Sequence, residues 1–336
     1  MIQNKTLVKN NPAVKDANFR RLLVVFVAVF ILCSLLKGEA FLNLGNFQSM
    51  MKQFPEYGLL AVAIALALLI GGIDLSAVYL ANLSTIIAGK FLLSQVAPGA
   101  PESTIVGLVF ASFVLCLTIG ALGGALNGLL ISGLGIPAML ATLGTQSLFW
   151  GLSIVMTGGS TLGGFPKQLG KIVNTKIGIV PLSVILFAVG AVVAALVVSK
   201  SVLGRQMKMY GTNNRATTFA GLNNMKLVVT THMMAGVLAA LSGIIMWGRY
   251  SSAKPDNGAS YTMQAILIAV MGGISPNGGK GSIQGVVVAV LIIQMVSSVL
   301  NMYTWIPTAC RQIIWGALLL MVMIFNYVND QRSKKR

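Results

Sequence analysis

The chain has 336 residues, of which 56% are apolar and 9% charged, and its formal net charge is +17. A soluble domain carries about 25% charged residues, so composition excludes a soluble enzyme, a disordered tail and a single-anchor protein. At about 20 apolar residues per membrane crossing, the apolar content allows on the order of eight to ten spans.

The apolar segments, in chain order, are about 22–36, 57–73, 76–96, 104–132, 138–156, 179–199, 227–247, 263–274, 283–300 and 307–328. Lys5, Lys9, Lys15, Arg20 and Arg21 precede the first of them, and no convincing small-x-small cleavage site follows. This reads as an uncleaved span with a cytoplasmic N-terminus. Segment 104–132 is too long for one upright span and tilts or extends beyond the bilayer. Segment 263–274 is too short, which predicts a half-span or broken helix. Such backbone is tolerated only inside protein or beside a wet cavity. The pattern predicts an all-α polytopic membrane protein of about ten transmembrane helices with both termini cytoplasmic. It forms one transmembrane domain over 1–336, with cytoplasmic segments 1–21, 200–226 and 329–336.

The charges agree with this orientation. Residues 103–166, 177–199, 227–248, 257–279 and 281–310 carry no Asp, Glu, Lys or Arg. Fifteen of the 24 basic residues fall in parts placed inside and seven in parts placed outside, as the positive-inside rule expects. The net charge therefore reflects membrane orientation and membrane lipid, and no nucleic-acid partner is expected. Cys33, Cys116 and Cys310 lie in apolar runs without metal-ligand spacing and read as small buried hydrophobes. The longest inside loop, 200–226, carries Lys200, Arg205, Lys208, Arg215 and Lys226 and no acid, so it is the natural docking surface.

Few residues are available for chemistry. Of the seven acids, Asp16, Glu39, Glu56, Glu102, Asp256 and Asp330 are assigned to loops or tails, which leaves Asp74 as the only acid abutting a span on both sides. Asp74 reads as a helix cap, its carboxylate accepting backbone N–H bonds, with an ion or proton site as the bolder reading. His232, the only histidine, has no acid in its span and reads as a packed or hydrogen-bonded residue. Lys90 snorkels to the interface. Arg311 either snorkels as well or lines a polar path with Gln312. Asn82, Asn127, Gln146, Gln264 and Gln294 either line a path for a hydroxyl-rich solute or hydrogen-bond between helices. Gly120, Gly124 and Gly128 form a stripe at i, i+4 and i+8 that suits close helix packing. The segment GGISPNGGKGS at 272–282 fails the phosphate-loop pattern, because Gly281 follows Gly279-Lys280 where Ser or Thr is required. Neither a metal motif nor a catalytic set is present. AIALALLIGGI at 63–73 echoes AILIAVMGGI at 265–274, although Gly and Ala are abundant enough here for chance to explain it.

Several stretches together resemble one family. GGIDLS at 71–76, GALNGLLISGLGIPAMLATLGT at 124–145, GTNNRATTFAGLN at 211–223, VMGGISPNGGKGSIQG at 270–285 and RQIIWGALLL at 311–320 are similar to segments of the permease subunit of ribose- and galactose-type ABC sugar importers. That branch includes xylose, inositol and autoinducer-2 permeases. The resemblance implies a translocation subunit in the bacterial cytoplasmic (inner) membrane that binds no cofactor. ATP and Mg would sit on a partner ATPase with two nucleotide-binding halves. An extracytoplasmic solute-binding protein and a second permease, identical or paralogous, would complete the assembly. It implies an ATPase-coupling role for Gly211, Asn213, Asn214, Arg215, Ala216 and Gly221. Two departures stand out: Arg215 replaces a residue that is usually acidic, and Thr262 and Gln264 occupy positions where the family commonly has acids. The runner-up reading is an ion-coupled secondary transporter of a small polar solute.

Overall fold

The computed structural model describes residues 12–303 and 308–334; the side chains of 12–18, 308, 309, 311 and 325–334 lie outside the description. Thirteen helices and a two-residue hairpin make up the described chain: α1 (Pro12–Leu42), α2 (Leu44–Leu69), α3 (Ala77–Gln95), α4 (Glu102–Ser132), α5 (Ala138–Thr157), α6 (Lys167–Val173), β1 (Lys176–Ile177), β2 (Val180–Pro181), α7 (Leu182–Lys200), α8 (Val202–Thr212), α9 (Asn214–Phe219), α10 (Asn224–Tyr250), α11 (Tyr261–Met271), α12 (Ile283–Asn301) and α13 (Thr308–Lys334). The strands pair antiparallel, Lys176 with Pro181 and Ile177 with Val180. Eight of the described helices are long and apolar enough to cross a membrane, and Tyr261–Met271 and Gln312–Ile324 are shorter apolar helices. The chain is an all-α polytopic membrane protein, and each of the ten apolar segments falls on a helix.

Helix α2 is the axis of the bundle. Every residue from Leu59 to Leu69 is fully buried, as expected of a helix that is apolar on all sides. Around it pack α7, α10, α11 and α12, and Ala77, Val78 and Ala81 of α3 join the same core. By contrast, α1, α4, α5 and α7 expose large apolar side chains such as Leu35, Val114, Val155 and Val189. In an aqueous protein these faces would be unstable; in a bilayer they meet acyl chains. Helix α1 is broken at Gly38, whose φ of 46° and ψ of −123° are non-helical.

The glycine stripe of α4 packs against α10. A Cβ at Gly124 would lie 2.1 Å from the His232 carbonyl oxygen, and one at Gly120 would lie 2.5 Å from the Gly236 carbonyl oxygen. The two backbones therefore touch, which only glycine permits. Gly124→Leu is expected to destabilise the protein by at least about 1–3 kcal/mol through overpacking, read as a lower unfolding midpoint in detergent. Gly107→Leu is the control. It lies on the same helix with open space around it and is expected to leave the midpoint unchanged.

Helix α11 has 11 residues and spans only ~16 Å, half of a bilayer core. The residues before it, 251–260, run as turns and are buried in protein at several points. Asn82 of α3 donates through Nδ2 to the carbonyls of Pro255 (3.0 Å) and Asn257 (2.9 Å), and Leu162 forms a bridge with Ala253. Protein groups thus satisfy irregular backbone where lipid would not.

Candidate functional site

Three glycine-bearing turns meet at one end of the bundle. The first follows α2 at Gly71 (φ 83°), the second is the end of α8 at Gly211, and the third precedes α12 at Gly278 (φ 81°) and Gly279 (φ 75°). Gly279 N–H donates to the Leu69 carbonyl at 2.8 Å, closing the end of α2. A Cβ on Gly211 would sit 2.2 Å from the Leu69 carbonyl oxygen and 2.4 Å from the Gly279 nitrogen; one on Gly278 would sit 2.8 Å from the Gly211 carbonyl oxygen. Segments far apart in sequence thereby interlock through bare backbone.

The 200–226 segment is built on this interlock. Helix α8 enters from Ser201, whose hydroxyl accepts from Gly204 N–H. Asn213 caps α9, its Oδ1 accepting from the N–H groups of Arg215 and Ala216, both at 3.1 Å. Asn224 clamps the far side by donating to the Asn214 carbonyl and the Thr218 hydroxyl. The segment turns back at Gly221 (φ 74°). Burial pushes the Tyr210 hydroxyl above its usual range, while a hydrogen bond with Asn214 opposes the shift. Asn213, Asn214, Arg215 and Ala216 are exposed, and Phe219 at the tip is 92% exposed. A phenyl ring in that position protrudes into water, and its exposure was not legible from the sequence.

Asp74 is buried in the turn before α3. Its Oδ1 accepts from the Ser76 N–H (2.9 Å) and hydroxyl (2.7 Å). Asn127 Nδ2 donates to Ser76 Oγ at 2.7 Å, and the Thr145 hydroxyl donates to Asn127 Oδ1 at 2.6 Å. Each donor points toward the carboxylate, so one anion organises a chain linking α3, α4 and α5. Thr142 adds a bond to the Ile73 carbonyl at 2.9 Å. His232 of α10 is also buried, both its ring nitrogens lack a partner, and it feels the Asp74 charge.

The remaining path candidates are scattered. Asn82 is occupied by the 255–257 turn. Gln294 is buried and accepts from the Tyr57 hydroxyl, while its Nε2 lacks a partner. Gln264 is buried on α11. Gln146 is half-buried on α5, and Gln312 is exposed on α13, where the side chain of Arg311 lies outside the described residues. Lys90 is exposed on α3.

The placement of the acids in loops or tails is corrected: Asp16 and Glu39 fall on α1, Glu102 opens α4 and Asp330 falls on α13, and Glu56 enters the core. Glu56 does not lie in a loop: it is fully buried within α2, one residue after Pro55. Its Oε1 accepts from Arg249 Nη1 at 2.8 Å, and Oε2 accepts from the hydroxyls of Tyr250 (3.2 Å) and Tyr261 (3.1 Å). The Ser242 hydroxyl holds the Glu56 carbonyl at 2.6 Å. The cluster ties α2 to the end of α10 and the start of α11, and so pins the half-span. Helix α2 begins well before the apolar run because Asn43 caps it, accepting from Gly45 N–H. Polar Gln48, Lys52 and Gln53 disguise its first turns.

The family described as "Branched-chain amino acid transport system / permease component" matches residues 46–323. The chain belongs to this family. The ribose import permease protein RbsC of Haemophilus influenzae is 30% identical over 315 residues, covering 91% of this chain and 94% of that protein. RbsC of Bacillus subtilis is 30% identical, covering 90% and 91%. The D-allose transport system permease protein AlsC of Escherichia coli is 27% identical, covering 89% and 87%. No solved structure matches the chain. The permease resemblance drawn from the motifs is borne out, and the chain is a multi-pass transport permease of the ABC sugar-importer branch. The ion-coupled alternative gains no support. As a permease component, it works within a larger transport system.

Proposed function

We propose that the chain is the translocation subunit of a binding-protein-dependent importer of a sugar or sugar-like solute, driven by ATP hydrolysed elsewhere. The observation that carries this reading is the coupling segment. Helices α8 and α9 present an exposed, acid-free surface bearing Arg205, Arg215 and Phe219, and their root at Gly211 is locked to the turns that end α2 and begin α12. A partner that moves α9 therefore moves the core of the bundle. The partner is an ATPase with two nucleotide-binding halves, which holds the ATP and Mg. Its groove would be acidic, with an apolar socket for Phe219. An extracytoplasmic solute-binding protein delivers the solute, and a second permease, identical or paralogous, completes the pore. Arg215 stands where the family usually has an acid, so the ATPase surface opposite it carries the compensating charge. Gln146, Gln264, Gln294 and Gln312, with Arg311, remain the candidates for contact with hydroxyls along the path, while Asn82 is committed to the 255–257 turn and Asn127 to the chain that ends on Asp74.

Phe219→Ser tests the docking. An exposed aromatic that fills a partner pocket contributes roughly 1–2 kcal/mol or more to binding. The variant is expected to purify folded, with an unchanged unfolding midpoint, while losing most co-purifying ATPase. Retention of the ATPase at the level of the unaltered chain would place the docking surface elsewhere.

A further inference from the structure

A cavity of about 270 Å³ opens at the end of the bundle that carries the 200–226 segment. It lies between the first apolar turns of α1, the end of α7, the middle of α8 and the start of α12. We propose that this cavity binds the headgroup of an anionic phospholipid, whose acyl chains run down the exposed faces of α1 and α7.

The lining has two chemistries. Phe19, Ala195, Val198 and Ile283 form an apolar wall, while Lys208, Ser282 and Gln284 supply an ammonium, a hydroxyl and an amide. The Ser282 oxygen accepts from Gly285 N–H as the cap of α12, which leaves its hydroxyl proton to donate. Ser199 also lines the cavity, but its proton is committed to the Ala195 carbonyl at 2.6 Å. Among the described residues no acid lines it. A small hydrated ion would gain nothing from the apolar wall, and an acyl chain alone would desolvate the ammonium without compensation. A phosphodiester carried on a glycerol ester suits both sides: its oxygens accept charge-assisted bonds from Lys208 and its esterified glycerol meets the wall. The volume holds a phosphate with its glycerol but not the acyl chains, so these must leave the cavity into the bilayer.

Depth in the membrane is the second, independent observation. On α1, the exposed bases Arg20 and Arg21 give way to the exposed apolar residues Leu23, Val24 and Val25. On α7, exposed Val192, Val193 and Leu196 give way to exposed Ser199 and Lys200. Both helices therefore pass from acyl-chain chemistry to headgroup chemistry at the level of the cavity. Both also pack on α12, Leu22 of α1 coming close enough to Gly285 to lie 3.3 Å from a Cβ placed there. Basic pockets between spans hold anionic headgroups in the leaflet that faces the cytoplasm, and the charge bias places this end inside.

Lys208 is half-buried, so its charge is screened less than that of a surface lysine. It stands about one helical turn before Gly211, where α8 interlocks with the turns after α2 and before α12. A lipid held by Lys208 fastens α8 to α1, α7 and α12 and steadies the root of the segment.

The test uses the full chain purified in a neutral detergent, with its unfolding midpoint as the readout. It is titrated with dioleoyl phosphatidylglycerol, with dioleoyl phosphatidylcholine as the net-neutral lipid of the same chains, and with sn-glycerol 3-phosphate as a headgroup without chains. Phosphatidylglycerol is expected to raise the midpoint and the other two to leave it unchanged. Lys208→Gln is expected to raise the half-saturating amount of phosphatidylglycerol about fivefold, the effect of one lysine at an anionic surface. Lys176→Gln removes the same charge from the exposed hairpin at the opposite end of α7 and is expected to keep the unaltered value. Ala195→Trp, which fills the apolar side and changes no charge, is expected to weaken binding as well, and it decides the matter if Lys208→Gln does not fold. No rise with phosphatidylglycerol, or an equal rise with phosphatidylcholine, would overturn the site. An equal rise with sn-glycerol 3-phosphate would make the ligand a soluble phosphate ester and overturn the lipid assignment. Unaltered phosphatidylglycerol affinity in either folded variant of the lining would place the lipid elsewhere.

Discussion

Glu56→Ala is expected to lower the unfolding free energy by about 3–5 kcal/mol, the usual cost of removing one partner from a buried ion pair. Glu56 is fully buried, and Arg249 is about three-quarters covered. Deleting the carboxylate strands the guanidinium and removes the acceptor of both the Tyr250 and Tyr261 hydroxyls. Those bonds also hold the start of the half-span α11 against α2, so the loss should be structural and local. Unfolding in mixed detergent micelles, followed by helix content, measures it. The double variant Glu56→Leu with Arg249→Met is expected to be more stable than Glu56→Ala, because neither charge is left unpaired. A midpoint for Glu56→Ala equal to that of the unaltered chain would mean the pair does not pin the helix.

Gly211→Val is expected to insert and fold but to lose about 5–150-fold in ATP-dependent uptake, the range for a lost coupling free energy of about 1–3 kcal/mol. No side chain fits there, since even a Cβ would fall 2.2 Å from the Leu69 carbonyl oxygen and 2.4 Å from the Gly279 nitrogen. The clash is with backbone, which cannot rotate away. The root of α8 must therefore separate from the turns after α2 and before α12, and movement of α9 no longer reaches α2. Uptake and ATP hydrolysis measured together in proteoliposomes check this. Hydrolysis that continues while uptake falls is the expected signature, and uptake at the unaltered rate would show that the interlock is not the coupling joint.

The helices were legible because a bilayer imposes a length rule on every span. The short segment at 263–274 signalled a half-span for the same reason, and α11 is that helix. The motifs GGIDLS, GTNNRATTFAGLN and the glycine-rich turn were visible as separate stretches, but their interlock was not, because it is made by backbone atoms far apart in the chain. Glu56 was hidden for a related reason. It sits at the margin of an apolar run beside Pro55, and its partners Arg249 and Tyr261 stand at the margins of two other runs. A lone acid and a lone base, each at the end of a span that the charge bias places outside, was the one signal that could have joined them. His232 shows the same limit. Its own span holds no acid, yet the fold brings the Asp74 charge to it from the turn before α3.

Reconstituted uptake tests the central claim most directly. The chain is placed in proteoliposomes with its second permease, its solute-binding protein and its ATPase, and sugar accumulation is followed with and without ATP and with and without an ion gradient. Accumulation that requires ATP, the ATPase and the binding protein, and ignores the ion gradient, is the predicted result. Accumulation by the permease alone, driven by a proton or sodium gradient, would contradict it.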